Sequence, residues 1–172
     1  MYDIYESAQN DQWRFSLGKG GSNPLLVIGL NPSTATQEKS DTTVAKVERV
    51  AKSNGYDGFV MLNLYPVRAT EYQELPHVAN QAAYRQNLEA IEAIVAAEKQ
   101  AAIWAAWGES IKARCYFTEA IRELSARLVA YNPTYLHFGP LTQEGHPRHP
   151  SRLDYSWSLA PFEISTYSER LK

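Results

Sequence analysis

The chain has 172 residues, a length suited to one domain, and its 44% apolar content with four Trp and eleven Tyr can fill a sizeable core. A formal charge of −2 excludes a globally basic surface of the kind that binds nucleic acid avidly, and no apolar run nears the ~20 residues that span a membrane. The single cysteine, Cys115, rules out an internal disulfide, and Met1 to Glu6 carries no basic-then-apolar leader, so a cytoplasmic location is expected.

Residues 13–17 alternate in a strand-like way and are stopped by Gly18-Lys19-Gly20-Gly21. Residues 1–22 read as an N-terminal embellishment of a single domain covering 1–172. Residues 25–30 form a wholly apolar run, the pattern of a strand buried on both faces. Asp41 heads a segment with Val44, Val47, Val50 and Ala51 at helical spacing, and Gly55 ends it. Residues 59–64 predict a second buried strand, and 80–97 a long helix with Leu88, Ile91, Ile94 and Val95 on one face. A third strand spans 101–106, a helix runs from Ser110 to about Leu128, and a fourth strand spans 134–138. A loop rich in Gly, His and Pro then extends to about Leu153.

Strands alternating with helices predict right-handed crossovers and an α/β fold. The expected form is a three-layer α/β/α sandwich around a short, mostly parallel sheet of about four strands. Ligands of such sheets bind at the carboxyl ends of the strands. Polar, unusual residues follow each strand here: Asn31-Pro32-Ser33-Thr34, then Asn63, then Trp107-Gly108, then the loop holding His146 and His149.

Each of these has a plain structural reading beside a functional one. Asn31-Pro32 is common turn chemistry, and Asp41 is a ready helix cap. Asn63 interrupts an apolar strand, where a buried amide must find partners or cost roughly 1–3 kcal/mol. The segment from His146 to Arg152 is either a stiff, solvated loop or a cationic patch for a phosphate or a developing anion. Its two His without a nearby acid or Cys pair make a poor metal pattern, so neither metal nor cofactor is implied. Gly18-Lys19-Gly20-Gly21 lies in the wrong context for a phosphate loop. Cys115, within a predicted helix and without an evident base, reads as a buried structural thiol rather than a nucleophile.

Taken in order, the strand ends resemble the uracil-DNA glycosylase superfamily. Gly29-Leu30-Asn31-Pro32-Ser33 is similar to its G-I-N-P-G motif, and the run from Met61 to Arg68 to its L-L-L-N and L-T-V-R stretches. Ala105-Ala106-Trp107-Gly108 is similar to L-L-W-G, and His149-Pro150-Ser151-Arg152-Leu153 to H-P-S-P-L. A closer resemblance is to domain-of-unknown-function family 1643, carried by residues 30–35, Asp41-Thr42, Asn63, Arg68-Ala69-Thr70, Ala106-Trp107-Gly108 and His149-Pro150.

The glycosylase resemblance implies recognition of a nucleobase, in nucleic acid or a nucleotide, and cleavage of its N-glycosidic bond. Asn31 would position a water, with Asp41 a second acid/base group. Asn63 would read the base edge, and His149 would donate to the leaving base, a contact worth ~3 kcal/mol. Pro32, Ser33, Thr34, Arg68, Gly108 and His146 would complete the substrate site, Ser151 and Arg152 would touch phosphates, and Leu153 would act as the wedge. Ser33 stands where the uracil-specific branch has the Tyr that excludes thymine, and no aromatic lies between Ser33 and Asp41, so Tyr65 or Trp107 would stack the base. The alternatives are a non-catalytic nucleotide-binding module and a hydrolase of another small molecule. The sequence leaves the oligomeric state open.

Overall fold

A computed structural model describes residues 1–171. The strands are β1 (Ile4–Ala8), β2 (Trp13–Lys19), β3 (Pro24–Gly29), β4 (Gly58–Asn63), β5 (Ala102–Ala105), β6 (Thr134–Phe138) and β7 (Leu159–Pro161). The helices are α1 (Thr42–Ser53), α2 (Gln81–Ala97), α3 (Cys115–Leu128) and α4 (Ile164–Arg170). The strands form one mixed sheet in the order β1-β2-β4-β3-β5-β6-β7. Its centre, β4-β3-β5-β6, is parallel, while β1, β2 and β7 join antiparallel.

The four expected strands are therefore the centre of a sheet of seven. The short β1 and β7 escape a reading based on apolar pattern, because edge strands bury little and depend on backbone pairing. Residues 1–22 supply β1 and β2, both of them part of the sheet. α3 starts at Cys115 instead of Ser110, since Glu109–Lys112 forms a separate 3₁₀ turn. Cys115 is consequently exposed at the helix start, contrary to the buried thiol expected.

Alternation along the central strands divides the core in two. Leu26, Ile28, Val60, Leu62 and Ile103 pack with Leu88 and Ile91 of α2, with Phe117 and Ile121 of α3, and with Tyr167 of α4. Leu25, Val27, Phe59, Met61 and Trp104 pack with Val44, Val47 and Val50 of α1. Crossover handedness explains why α1 is separated from α2 and α3. The chain steps from β3 one way to β4, then returns past β3 to β5 and on to β6. A right-handed crossover must change faces when the direction of travel reverses. The reversal around β3 also parts the loops that follow β3 and β5, the place where open α/β sheets form a crevice.

Asp41 caps α1 as its sequence position suggests, its Oδ1 accepting from the Val44 N–H at 2.8 Å. Asn80 does the same for α2, accepting from the N–H groups of Ala82 and Ala83. No helix among the described residues is long and apolar enough to cross a membrane.

Candidate functional site

A cleft of about 730 Å³ opens at the carboxyl ends of β3, β4 and β5, a volume within the range of sites for drug-sized ligands. It brings together Asn31, Asn63, Asp41, Trp107, Gly108 and His149, and Ser33, Ser151 and Arg152 also reach its walls.

Asn63 ends β4 at 1% exposure, and neither Oδ1 nor Nδ2 has a hydrogen-bond partner among the described residues. Its backbone carbonyl does have one, the Nδ2–H of Asn87 on α2 at 2.7 Å. Gly29 is the register partner of Asn63 across the parallel pair. A Cβ at Gly29 would lie 3.0 Å from Asn63 Oδ1 and 2.7 Å from the Met61 methyl, so a side chain there would crowd the amide. The missing side chain on one strand thus makes room for the polar one on the next.

Asn31 is tethered differently. Its Nδ2 donates to Ala69 O at 2.9 Å and to Pro32 O at 3.2 Å, leaving Oδ1 as the acceptor not used by these bonds. Asp41 has no such freedom. Oδ1 caps α1 and Oδ2 accepts from the Ala35 N–H at 3.2 Å, so the carboxylate organises the wall it belongs to.

His149 precedes the short 3₁₀ turn Pro150–Arg152. Its Nδ1 accepts from the Ser151 N–H at 3.2 Å and lies 2.8 Å from Ser151 Oγ, whose proton can point to it. With Nδ1 an acceptor, the neutral ring carries its proton on Nε2. Burial pushes the imidazole down to about 4, against an upward pull from Asp41 and with a smaller downward push from Lys46. The ring is therefore neutral at pH 7. Gly108 sets its approach: φ is +78°, and a Cβ there would stand 2.9 Å from His149 Cβ.

The remaining expected residues do not reach the cleft as ligand contacts. Tyr65 is fully buried, stacked on Tyr116 at 4.4 Å between ring centroids, with its hydroxyl accepting from Asn80 N–H. Arg68 is spent on structure: it donates to Asp11 O, Ser33 O, Ala35 O and the Tyr5 hydroxyl, and pairs with Asp11 Oδ2 at 3.0 Å. It staples the β1–β2 turn to the loop after β3. His146 is buried behind Trp107 in a relay in which the Trp107 indole N–H donates to the Tyr167 hydroxyl at 3.0 Å and that hydroxyl meets His146 Nδ1 at 2.9 Å. Burial lowers the His146 pKa. Pro32 is buried outside the cleft wall, Thr34 is exposed, and Leu153 packs against the α1-side core instead of standing free as a wedge.

Trp107 lines the cleft but is 1% exposed, its ring packed on Phe162 and Tyr167. Tyr72, half-buried in the loop after β4, is an aromatic of the cleft wall that strand-end reasoning passes over. Arg14 is another. β2 runs antiparallel to β4, so its first residues, not its last, lie at the carboxyl end of the parallel strands, with Arg14 N–H bonded to Pro66 O. Among the described residues no three His, Cys, Asp or Glu side chains gather as a metal site would require.

The model of the family described as Protein of unknown function (DUF1643) matches residues 13–151, the larger part of the chain, and includes β2 to β6 and every residue of the cleft named above except Arg152. No curated protein and no solved structure matches the sequence. The chain belongs to that family of proteins of unknown function.

Proposed function

We propose that this family member recognises a nucleobase in its strand-end cleft and that the cleft is arranged for cleavage of an N-glycosidic bond. The observation that carries the reading is the Asn63 amide: a donor and an acceptor fixed side by side, buried, without protein partners, in the wall of a ligand-sized cleft. An amide edge of this kind pairs with the adjacent carbonyl and N–H of a base such as uracil. Burying it unpaired costs roughly 1–3 kcal/mol, which a ligand returns on binding.

The chemistry follows from two neighbours. In the proposed reaction the bond between the sugar C1′ and the base nitrogen breaks, and its electron pair leaves with the base. His149, neutral and protonated at Nε2, would donate to the base oxygen on which that charge gathers. Asn31 would hold a water through Oδ1, and that water adds to C1′ while its proton passes to solvent. An amide is a weak base, so the water attacks only after the glycosidic bond has largely broken. Tyr72 is the aromatic best exposed to stack the base. We read the architecture as the uracil-DNA glycosylase-like three-layer sandwich; a parallel sheet centre with α1 on one face and the other helices on the opposite face supports this.

A second reading, a nucleotide-binding module without turnover, is favoured by the commitment of both Asp41 oxygens to backbone N–H groups. The charges of the wall also suit a small ligand better than a polymer: Arg14, Arg148 and Arg152 face Asp41, Glu71 and Glu109. Incubation with single- and double-stranded oligonucleotides bearing uracil or hypoxanthine separates the readings. Abasic sites formed by the wild type and lost in Asn31→Ala and His149→Ala support glycosidic cleavage. No cleavage, with free nucleosides still raising Tm, removes the enzyme and keeps the binding site.

A further inference from the structure

Among the described residues, Arg14 is the one formally charged Lys, Arg, Asp or Glu side chain in the buried interior, at 2% exposure. No carboxylate oxygen of the described residues lies within ion-pair distance of it. Its side chain makes one hydrogen bond to the described residues, from Nη1 to Ala35 O at 3.0 Å. The same carbonyl already accepts from Arg68 Nη1 at 2.9 Å, so two guanidinium groups converge on one oxygen. Nε is buried without an acceptor. Nε and Nη2 form one edge of the guanidinium, the fork that meets two oxygens of a carboxylate or phosphate at once.

A buried guanidinium in this state is costly. Neutralisation does not relieve it: burial and the Arg68 charge lower the pKa only to about 10, so the group stays charged at pH 7. Asp41 helps through its field, but its oxygens accept from the Val44 and Ala35 N–H groups and not from Arg14. A buried charge persists at little net cost when something pairs with it. Arg14 lines the cleft that Asn63 also lines, and Thr43 and Val44 bring the N-terminal turn of the 12-residue helix α1 to the same wall.

We propose that Arg14 is an oxyanion-binding residue of the cleft, so that the ligand carries an ionised phosphate or carboxylate alongside the group that meets Asn63. The inference rests on the nucleobase reading only for what Asn63 meets; the charge requirement stands on Arg14 alone. Applied to that reading, it makes the ligand a small anionic nucleotide in preference to a neutral nucleoside. It also explains why a chain of net charge −2 has its buried cation in the cleft wall.

The test is a titration of the ¹⁵N-labelled full chain, following arginine Nε–H resonances, with Arg14 assigned through the charge-keeping variant Arg14→Lys. The probes are inorganic phosphate, acetate, a nucleoside and its 5′-monophosphate, with sodium chloride as the ionic-strength control. Phosphate or acetate is expected to shift the Arg14 resonance saturably while chloride does not, and the stronger of the two identifies which oxyanion the ligand bears. Arg14→Gln is expected to weaken that binding about 30-fold or more, as loss of one partner from a desolvated charge pair does. The absence of a saturable shift with phosphate, acetate and the monophosphate overturns the proposal, as does wild-type affinity in Arg14→Gln. If Arg14→Gln fails to fold, the wild-type titration decides alone. Phosphate binding without any difference between the monophosphate and phosphate itself keeps Arg14 and removes the nucleobase reading. Equal binding of nucleoside and monophosphate, unchanged in Arg14→Gln, does the reverse.

Discussion

Replacing Asn63 by Leu should make the ligand-free protein more stable. Leu has the heavy-atom count and branching of Asn but is bulkier; with the open cleft beside Asn63 to take up the extra volume, the two orphaned atoms give way to methyl groups without leaving a cavity. The stabilisation comes from removing a desolvated amide, worth roughly 1–3 kcal/mol, and in a chain of this size that corresponds to a Tm rise of roughly 2–12 °C. Asn87→Leu provides the contrast. Asn87 is just as buried and its Oδ1 is also unpartnered, but its Nδ2 satisfies the Asn63 carbonyl at 2.7 Å; losing that bond should cost roughly 1–3 kcal/mol, offset in part by removal of the orphaned Oδ1. Thermal and urea unfolding of both variants, without ligand, give the signs directly. The same Asn63→Leu protein should bind a nucleotide about 10-fold more weakly or worse. A fall in stability of Asn63→Leu matching that of Asn87→Leu would refute the reasoning, because it would mean that the Asn63 amide is satisfied within the fold.

Two further expectations concern His149. In the unfolded chain it titrates near the ordinary 6.5, while in the fold it does so at about 4, so between these values the unfolded state binds the extra proton. Stability from this residue is full above pH 6.5 and is lost as pH falls toward 4, by up to about 3 kcal/mol; an imidazole resonance titrating near 6.5 in the folded protein would contradict it. Gly108→Ala forces a Cβ into a positive φ and to 2.9 Å from His149 Cβ. It should cost roughly 2–4 kcal/mol in urea unfolding and displace the His149 resonances, whereas the same change at Gly55, φ +84° with open space around it, carries only the conformational part.

Much of this molecule is legible in local pattern. The apolar runs from Leu25 and Phe59 predict buried strands because a strand covered on both faces needs no polar alternation, and both sit at the centre of the sheet. Asp41 before a helical apolar stripe predicts a cap, and it is one. Arg68 and Tyr65 follow the same strand as Asn63, and spacing alone treats them as equals. The structure separates them because the chain turns after β4, sending Tyr65 against Tyr116 and Arg68 toward Asp11 and Ser33. Contacts between residues dozens of positions apart leave no mark in a local window.

The sequence by itself determined the α/β alternation, and through it the end of the sheet where polar residues would gather, because handed crossovers leave few alternatives. Only the tertiary structure decided which of those residues share the cleft. It added Arg14, since the antiparallel direction of β2 brings the start of that strand to the end of its neighbours. It withdrew His146, Tyr65 and Arg68, whose partners lie far along the chain. And it distinguished Asn63, with neither amide atom partnered, from Asn87, whose Nδ2 is: hydrogen-bond satisfaction depends on what long-range packing brings within about 3 Å, which no local pattern encodes.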